Sequence, residues 1–155
     1  MCLGNICRSP LAEAIFIDKI VRKNLKEHFE VDSCGTSNYH IGDIADHRTI
    51  ATALKNGIKI DHTVRQFVTD DLDSFDYIVA MDRSNHQNIL RLSETGNHEQ
   101  KVILMRSFDP HAKGEEVPDP YYGIERNFQE VYEILDRSMD NFLLHIEETV
   151  FRKVR

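Results

Sequence analysis

The 155-residue chain has no tryptophan, four prolines, seven glycines and three cysteines. With so few prolines and glycines, no Pro/Ser/Gly-rich linker divides it, and no internal repeat is visible. One domain over residues 1–155 is expected, since domains commonly run to roughly 100–150 residues. Three cysteines, an odd count, argue against a disulfide framework. Cys2 and Cys7 also lack zinc-finger spacing, because no second pair follows them. No apolar run approaches the ~18 residues that span a bilayer, so no membrane association is expected. The start, MCLGNICRSP, has neither the basic n-region nor the apolar h-region of a signal peptide. Together with free thiols, this predicts a cytoplasmic protein. Basic residues are in deficit: 19 Lys and Arg against 26 Asp and Glu give a net charge of −7. A nucleic-acid partner is not expected, because such binders carry a basic excess.

What is present is an ordinary globular composition, 41% apolar and 29% charged. Apolar residues recur at helical spacing over residues 9–28, with Pro10 suited to a first turn. A short strand is predicted at 29–33, then a polar loop at 35–43. A helix over 44–56 would stop at Gly57. The runs FDYIVAM (75–81) and KVILM (101–105) suit buried parallel strands. A helix at 84–92 would use Ser84 as its N-cap. After a loop containing Pro110, Pro118 and Pro120, residues 123–148 show strong helical periodicity. Alternating strands and helices imply an α/β fold with a parallel sheet covered on both faces, and ligands bind where strands give way to helices.

The densest chemistry lies in Cys2-Leu3-Gly4-Asn5-Ile6-Cys7-Arg8-Ser9, a Cys-x5-Arg-Ser loop with a helix directly behind it. Gly4 and Asn5 tolerate left-handed backbone angles. A tight loop entering a helix N-terminus aims several N–H groups at one point, making an anion nest suited to phosphate. Arg8 would add a bidentate fork. A thiol at the base of such a nest is favoured as thiolate, and a thiolate beside phosphate is a nucleophile aimed at phosphorus. Ser9 could donate to that sulfur. The same spacing, taken alone, also suits inert buried thiols.

A phosphate monoester needs its leaving oxygen protonated. Asp119, in Val117-Pro118-Asp119-Pro120-Tyr121-Tyr122, is the candidate acid, held by flanking prolines. Tyr121 and Tyr122 could wall a slot for an aromatic ring. A plain surface turn is the other reading of Asp-Pro.

The nine-residue cysteine motif, the Leu-Ala-Glu-Ala that follows it and the distant Asp-Pro-Tyr-Tyr-Gly resemble the low-molecular-weight protein tyrosine phosphatases across nearly the whole chain. Residues 32–37, Gly42, Asp46, Arg48, residues 61–65 and residues 75–78 agree as further landmarks. The resemblance implies a three-layer αβα fold with a four-stranded parallel sheet. It implies Cys2 as nucleophile, Arg8 as clamp, Ser9 as thiolate stabiliser and Asp119 as general acid, then base. Leu3, Gly4, Asn5, Ile6, Cys7, Arg8 and Ser9 would bind phosphate. Asn5 would be held in left-handed geometry by a network with Ser33 and His62, and Asp82 would support the site. His62 in isolation reads more simply as an exposed polar residue. Tyr39, Tyr121 and Tyr122 would form the substrate rim, although packing is their plainer role. Cys7 would be the thiol able to trap an oxidised Cys2, or an inert loop thiol. The implied partner is a phosphotyrosine protein or small aryl phosphate, with inhibition by phosphate-like oxyanions, no metal or other cofactor, and a monomer or weak dimer.

Members of that family carry an apolar strand before the cysteine, whereas here Met1 stands directly before Cys2. The first, central strand is therefore expected to be largely missing. A sequence shortened at its start is the favoured explanation, and restoring an apolar strand is expected to raise stability and turnover. Two other enzymes resemble this fold. A thioredoxin-coupled arsenate reductase needs cysteines beyond Cys34, which are absent. A protein-arginine phosphatase usually has Thr where Ile6 stands. A catalytically dead phosphate-binding module is a further alternative, against which the complete set of catalytic residues argues. A negative protein acting on anionic substrates needs a basic rim, for which Arg8, Lys19, Arg48 and Arg65 are candidates.

Overall fold

The computed structural model describes residues 1–93 and 96–151; the last four residues of the expected domain, 152–155, lie outside them. Its elements run α1 (Arg8–Arg22), α2 (His47–Lys55), α3 (Asp71–Ser74), β1 (Ile78–Ala80), α4 (Arg83–Leu90), α5 (Gly96–Glu99), β2 (Val102–Leu104) and α6 (Glu125–Ile146). This is an α/β architecture, and each helix begins or ends for a local reason. The periodicity of α1 continues past Arg22, but Asn24 takes φ 56° and breaks it. Residues Lys26–His28 then form a separate 3₁₀ turn, not the end of one long helix. Asp46 caps α2 by accepting from the Arg48 N–H, so the helix starts later than apolar spacing predicts. Gly57, at φ 78°, follows its C-cap as expected. The cap of α4 is Asp82, whose carboxylate accepts from Asn85 N–H, and not Ser84.

Strands β1 and β2 pair in parallel, Ile78 opposite Val102 and Ala80 opposite Leu104. On the other side of β1 lies Met1, whose amine donates to Val79 O at 2.6 Å and whose carbonyl accepts from Met81 N–H at 3.0 Å. The carbonyl of Met81 in turn accepts from Val117 N–H, which brings the segment bearing Asp119 alongside. Beyond Met1, single parallel bridges join Cys2 to Gly35 and Gly35 to Gln66. The strand predicted at 29–33 is not a ladder. A cavity of about 450 Å³ with Met1 at its margin lies between this segment and residues 75–79, so pairing with the Met1 row begins only at Cys34.

Helices α1 and α6 cover the sheet through one core that includes Leu11, Ile15, Ile20, Met81, Leu135 and Leu143. Phe142 of α6 gathers an aromatic cluster, with ring centroids 5.6 Å from Phe16, 5.4 Å from Tyr77 and 5.0 Å from Phe108. Among the described residues, no helix is long and apolar enough to cross a membrane.

Candidate active site

The loop from Cys2 to Arg8 joins the Met1 row to α1. Its carbonyls are turned outward and held there. Cys2 O accepts from Thr36 N–H and Leu3 O from Ser37 N–H, both at 2.9 Å, and Ile6 O accepts from Asp46 N–H at 2.8 Å. In a trans peptide unit the N–H points opposite to the C=O. The amides of Leu3, Gly4 and Cys7 are thereby directed to the inside of the loop. Among the described residues, the N–H groups of Leu3, Gly4, Asn5, Ile6 and Cys7 donate to no protein acceptor. Together with the N-terminus of the 15-residue α1, this concavity concentrates partial positive charge.

Two residues allow so tight a turn. Asn5 is fully buried and adopts the left-handed conformation, φ 56°, whereas Gly4 does not. Gly35, from the neighbouring bridge, sits so close that a Cβ there would lie 2.7 Å from Leu3 O and 3.2 Å from Asn5 N. Only a residue without a side chain lets that backbone pack under the loop.

Asn5 is fixed through both ends of its amide. Its Nδ2 donates to Ser9 Oγ at 2.8 Å and to Ser33 Oγ at 3.0 Å. Its Oδ1 accepts from Arg65 N–H at 3.2 Å and lies 2.9 Å from His62 Nε2. Ser33 Oγ donates a hydrogen bond to Glu13 Oε2 at 2.6 Å, and the same oxygen lies 3.1 Å from His62 Nδ1. Because Ser9 Oγ already accepts from Asn5, its hydroxyl hydrogen is free to donate to Cys2 Sγ, 3.0 Å away. The sulfur is buried, with 3% of Cys2 exposed. Burial pushes the neighbouring thiols up, Cys7 to about 12 and Cys34 to about 11.

Arg8 is nearly buried. Its Nη1 donates to Asp82 Oδ2 at 2.8 Å and Val117 O at 2.9 Å, and its Nη2 lies 3.5 Å from Asp119 Oδ2. The guanidinium therefore joins the cysteine loop to a carboxylate 111 residues away. Asp119 is half-exposed, and its other oxygen accepts from Tyr121 N–H at 3.1 Å. Tyr39 and Tyr122 are exposed and Tyr121 is at the threshold of exposure; the rings of Tyr121 and Tyr122 meet edge to face at 4.9 Å.

Two hydrogen-bonded networks thus meet at the adjacent residues Arg8 and Ser9: one joins Cys2, Ser9, Asn5, Ser33 and His62, and the other joins Arg8, Asp82 and Asp119. The expected basic rim is different. Lys19 is paired with Asp136 and Asp140, Arg65 with Asp32 and Asp71, and Arg48 with Asp46. Each of these cations is matched by a carboxylate, as is Arg8, whose side chain joins the cysteine loop to Asp119. Sequence reading did not single out Glu13, although its position four residues after Ser9 puts it on the same helical face. Gly35 was only a landmark, and Arg48 a landmark and rim candidate, since the contacts that tie them to the site, Gly35 to Leu3 and Arg48 to Tyr121, are long-range.

The family model for "Low molecular weight phosphotyrosine protein phosphatase" matches residues 1–154. The low molecular weight phosphotyrosine protein phosphatase of Schizosaccharomyces pombe is 42% identical over 147 residues, covering 94% of each chain. Its namesake from Homo sapiens is 40% identical over 144 residues, covering 92% of this chain and 90% of the human one. The crystal structure of a protein tyrosine phosphatase from Entamoeba histolytica, with Hepes in its active site, superposes with a TM-score of 0.91 at 41% identity, over 95% of this chain and 94% of that one. With a match of this extent in sequence and in backbone, the chain belongs to the low molecular weight phosphotyrosine protein phosphatase family, whose members are hydrolases of phosphoric monoesters.

Proposed function

We propose that this chain removes phosphate from tyrosine residues of proteins in two covalent steps. The observation that carries the reading is the buried Cys2 sulfur 3.0 Å from Ser9 Oγ, at the start of a loop whose N–H groups have no protein acceptor among the described residues, with Arg8 linking that loop to Asp119. In the first step the Cys2 thiolate forms a sulfur–phosphorus bond as the phosphorus–oxygen bond to the tyrosyl group breaks. Asp119 gives its proton to the departing oxygen. In the second, water attacks the cysteinyl phosphate, Asp119 takes the water's proton, and the sulfur leaves as thiolate. Arg8 and the amides of Leu3, Gly4, Asn5, Ile6, Cys7 and Arg8 would hold the equatorial oxygens in both steps. Donors fixed in place before charge develops supply the largest share of such accelerations. Ser9 would stabilise the sulfur anion, and Asn5, Ser33 and His62 would keep the loop in its strained turn. Tyr39, Tyr121 and Tyr122 would bracket the aromatic ring. Phosphate-like oxyanions would compete for the nest. The four-stranded sheet is also our reading, with the Met1–Cys2 row and the Gly35 row beside β1 and β2 as a reduced set of four.

The test is turnover of p-nitrophenyl phosphate and of matched phosphotyrosine, phosphoserine and phosphoarginine peptides. The expected result is turnover of the aryl ester, preference for phosphotyrosine, and loss of turnover in Cys2→Ser. A Cys2→Ser protein as active as the parent would eliminate the nucleophile assignment, and preference for phosphoarginine would replace the substrate.

A further inference from the structure

We propose that Arg48 is a positioning residue that holds the Asp119 loop in register with the phosphate loop; this rests on the phosphatase reading above. Arg48 binds on three sides. Its Nε and Nη2 form a fork on Asp46, with distances of 3.0 and 2.8 Å. Its Nη1 donates to Tyr121 O at 2.9 Å. Its guanidinium carbon lies 4.7 Å from the ring centroid of Phe128 and 5.5 Å from that of Tyr121. Each contact leads to a part of the site. Asp46 is tied to the phosphate loop, because its N–H donates to Ile6 O. Tyr121 is tied to the acid, because its N–H donates to Asp119 Oδ1. The route Ile6–Asp46–Arg48–Tyr121–Asp119 therefore connects the two loops without passing through Arg8.

That second route matters because Arg8 has its own task. A group that clamps a phosphoryl oxygen cannot also keep a fixed grip on Asp119 through the reaction. Arg48 is outside the nest, so its hold on the Tyr121 carbonyl persists whether or not an anion is bound. The planar fork is needed: a lysine ammonium, a single point charge, cannot pair with Asp46 through two atoms and donate to Tyr121 through a third. Position is critical because a displacement of ~1 Å at a reacting group can cost ~10²-fold in rate.

The experiment compares kcat/KM for phenyl phosphate with that for p-nitrophenyl phosphate in the parent, Arg48→Met and Arg48→Lys. Phenolate is the poorer leaving group and depends more on protonation by Asp119. Arg48→Met keeps the apolar stem against Phe128 and removes the donors. The expected result is a loss about tenfold larger, or more, for phenyl phosphate than for p-nitrophenyl phosphate. Arg48→Lys should fall between parent and Arg48→Met, and inhibition by inorganic phosphate should stay within about twofold of the parent, since the nest is untouched. Equal losses on both esters, or no loss, would overturn the assignment while leaving the phosphatase reading intact. A parent that hydrolyses neither ester would overturn both. Should Arg48→Met fail to fold, the ester ratio in Arg48→Lys decides, and a ratio equal to the parent's refutes the role.

Discussion

At the scale of single residues, the three thiols differ in what surrounds them, and that difference is measurable. Burial pushes Cys7 to about 12 and Cys34 to about 11, so both stay protonated at neutral pH. Cys2 has the Ser9 hydroxyl and the unpaired amides about it instead. Iodoacetate at pH 7 is expected to carboxymethylate Cys2 alone, with inorganic phosphate slowing the reaction; peptide mass mapping checks it, and prior labelling at Cys7 or Cys34 would contradict it. Much of this scale was legible in advance, because Cys2, Asn5, Arg8 and Ser9 are contiguous and their spacing carries the chemistry. Glu13, Asp46 and Arg48 gain their meaning from partners up to 73 residues away, as in the Arg48–Tyr121 bond. Spacing along the chain cannot register such pairings. The carboxylate partners of Lys19 and Arg65 were out of reach for the same reason, since they lie on other elements.

At the scale of elements, helices were more readable than strands. Apolar positions repeating at 3.6 along α1 and α6 define a buried face, whereas β1 and β2 are three residues each and offer no period. Helix ends depended on single residues that periodicity ignores, Asn24 for α1 and Asp82 for α4. The Met1 row joins the β1 segment through two hydrogen bonds, both made by Met1. The amine of Met1 is buried, and removal from water lowers its affinity for a proton. Beside it lies the cavity of about 450 Å³ walled by Phe29, Val31, Phe75, Tyr77 and Val79. A five-residue extended apolar segment joined ahead of Met1 is expected to pair in that space and to turn the buried amine into an ordinary ladder amide. With roughly 1.5–3 kcal/mol per buried large side chain offset by the cost of ordering the segment, Tm should rise by about 5 °C or more. Calorimetry on the two chains measures this, and an unchanged Tm would show that the cavity does not accept a strand.

At the scale of the whole molecule, net charge is a poor guide to local fields: a chain of −7 gathers, in one loop, a buried arginine and backbone amides without a protein acceptor among the described residues. Part of its response to acid is set at Asp109. Burial pushes this carboxyl up, but Arg137, the His111 amide and Arg106 outweigh burial and hold it well below the usual carboxylate range. The folded carboxyl thus binds its proton more weakly than the unfolded one. Its contribution is present above the unfolded value of about 4 and is lost as pH falls below it toward the folded value. Urea unfolding is expected to show stability declining steeply below pH 4. Asp109→Asn, which leaves two arginines facing a neutral side chain, should cost about 3–5 kcal/mol at pH 7 and flatten the acid slope; an unaltered slope would place the acid sensitivity elsewhere. One more property follows from Met81, whose amide holds the Met1 carbonyl and whose carbonyl holds the Val117 amide. Cys2 and Asp119, the proposed nucleophile and proton donor, are each a residue or two from those anchors, so Met81 is a common rivet for both. A shift of Met81 would therefore act on the Cys2 and Asp119 segments together, and one on either anchor alone would part them.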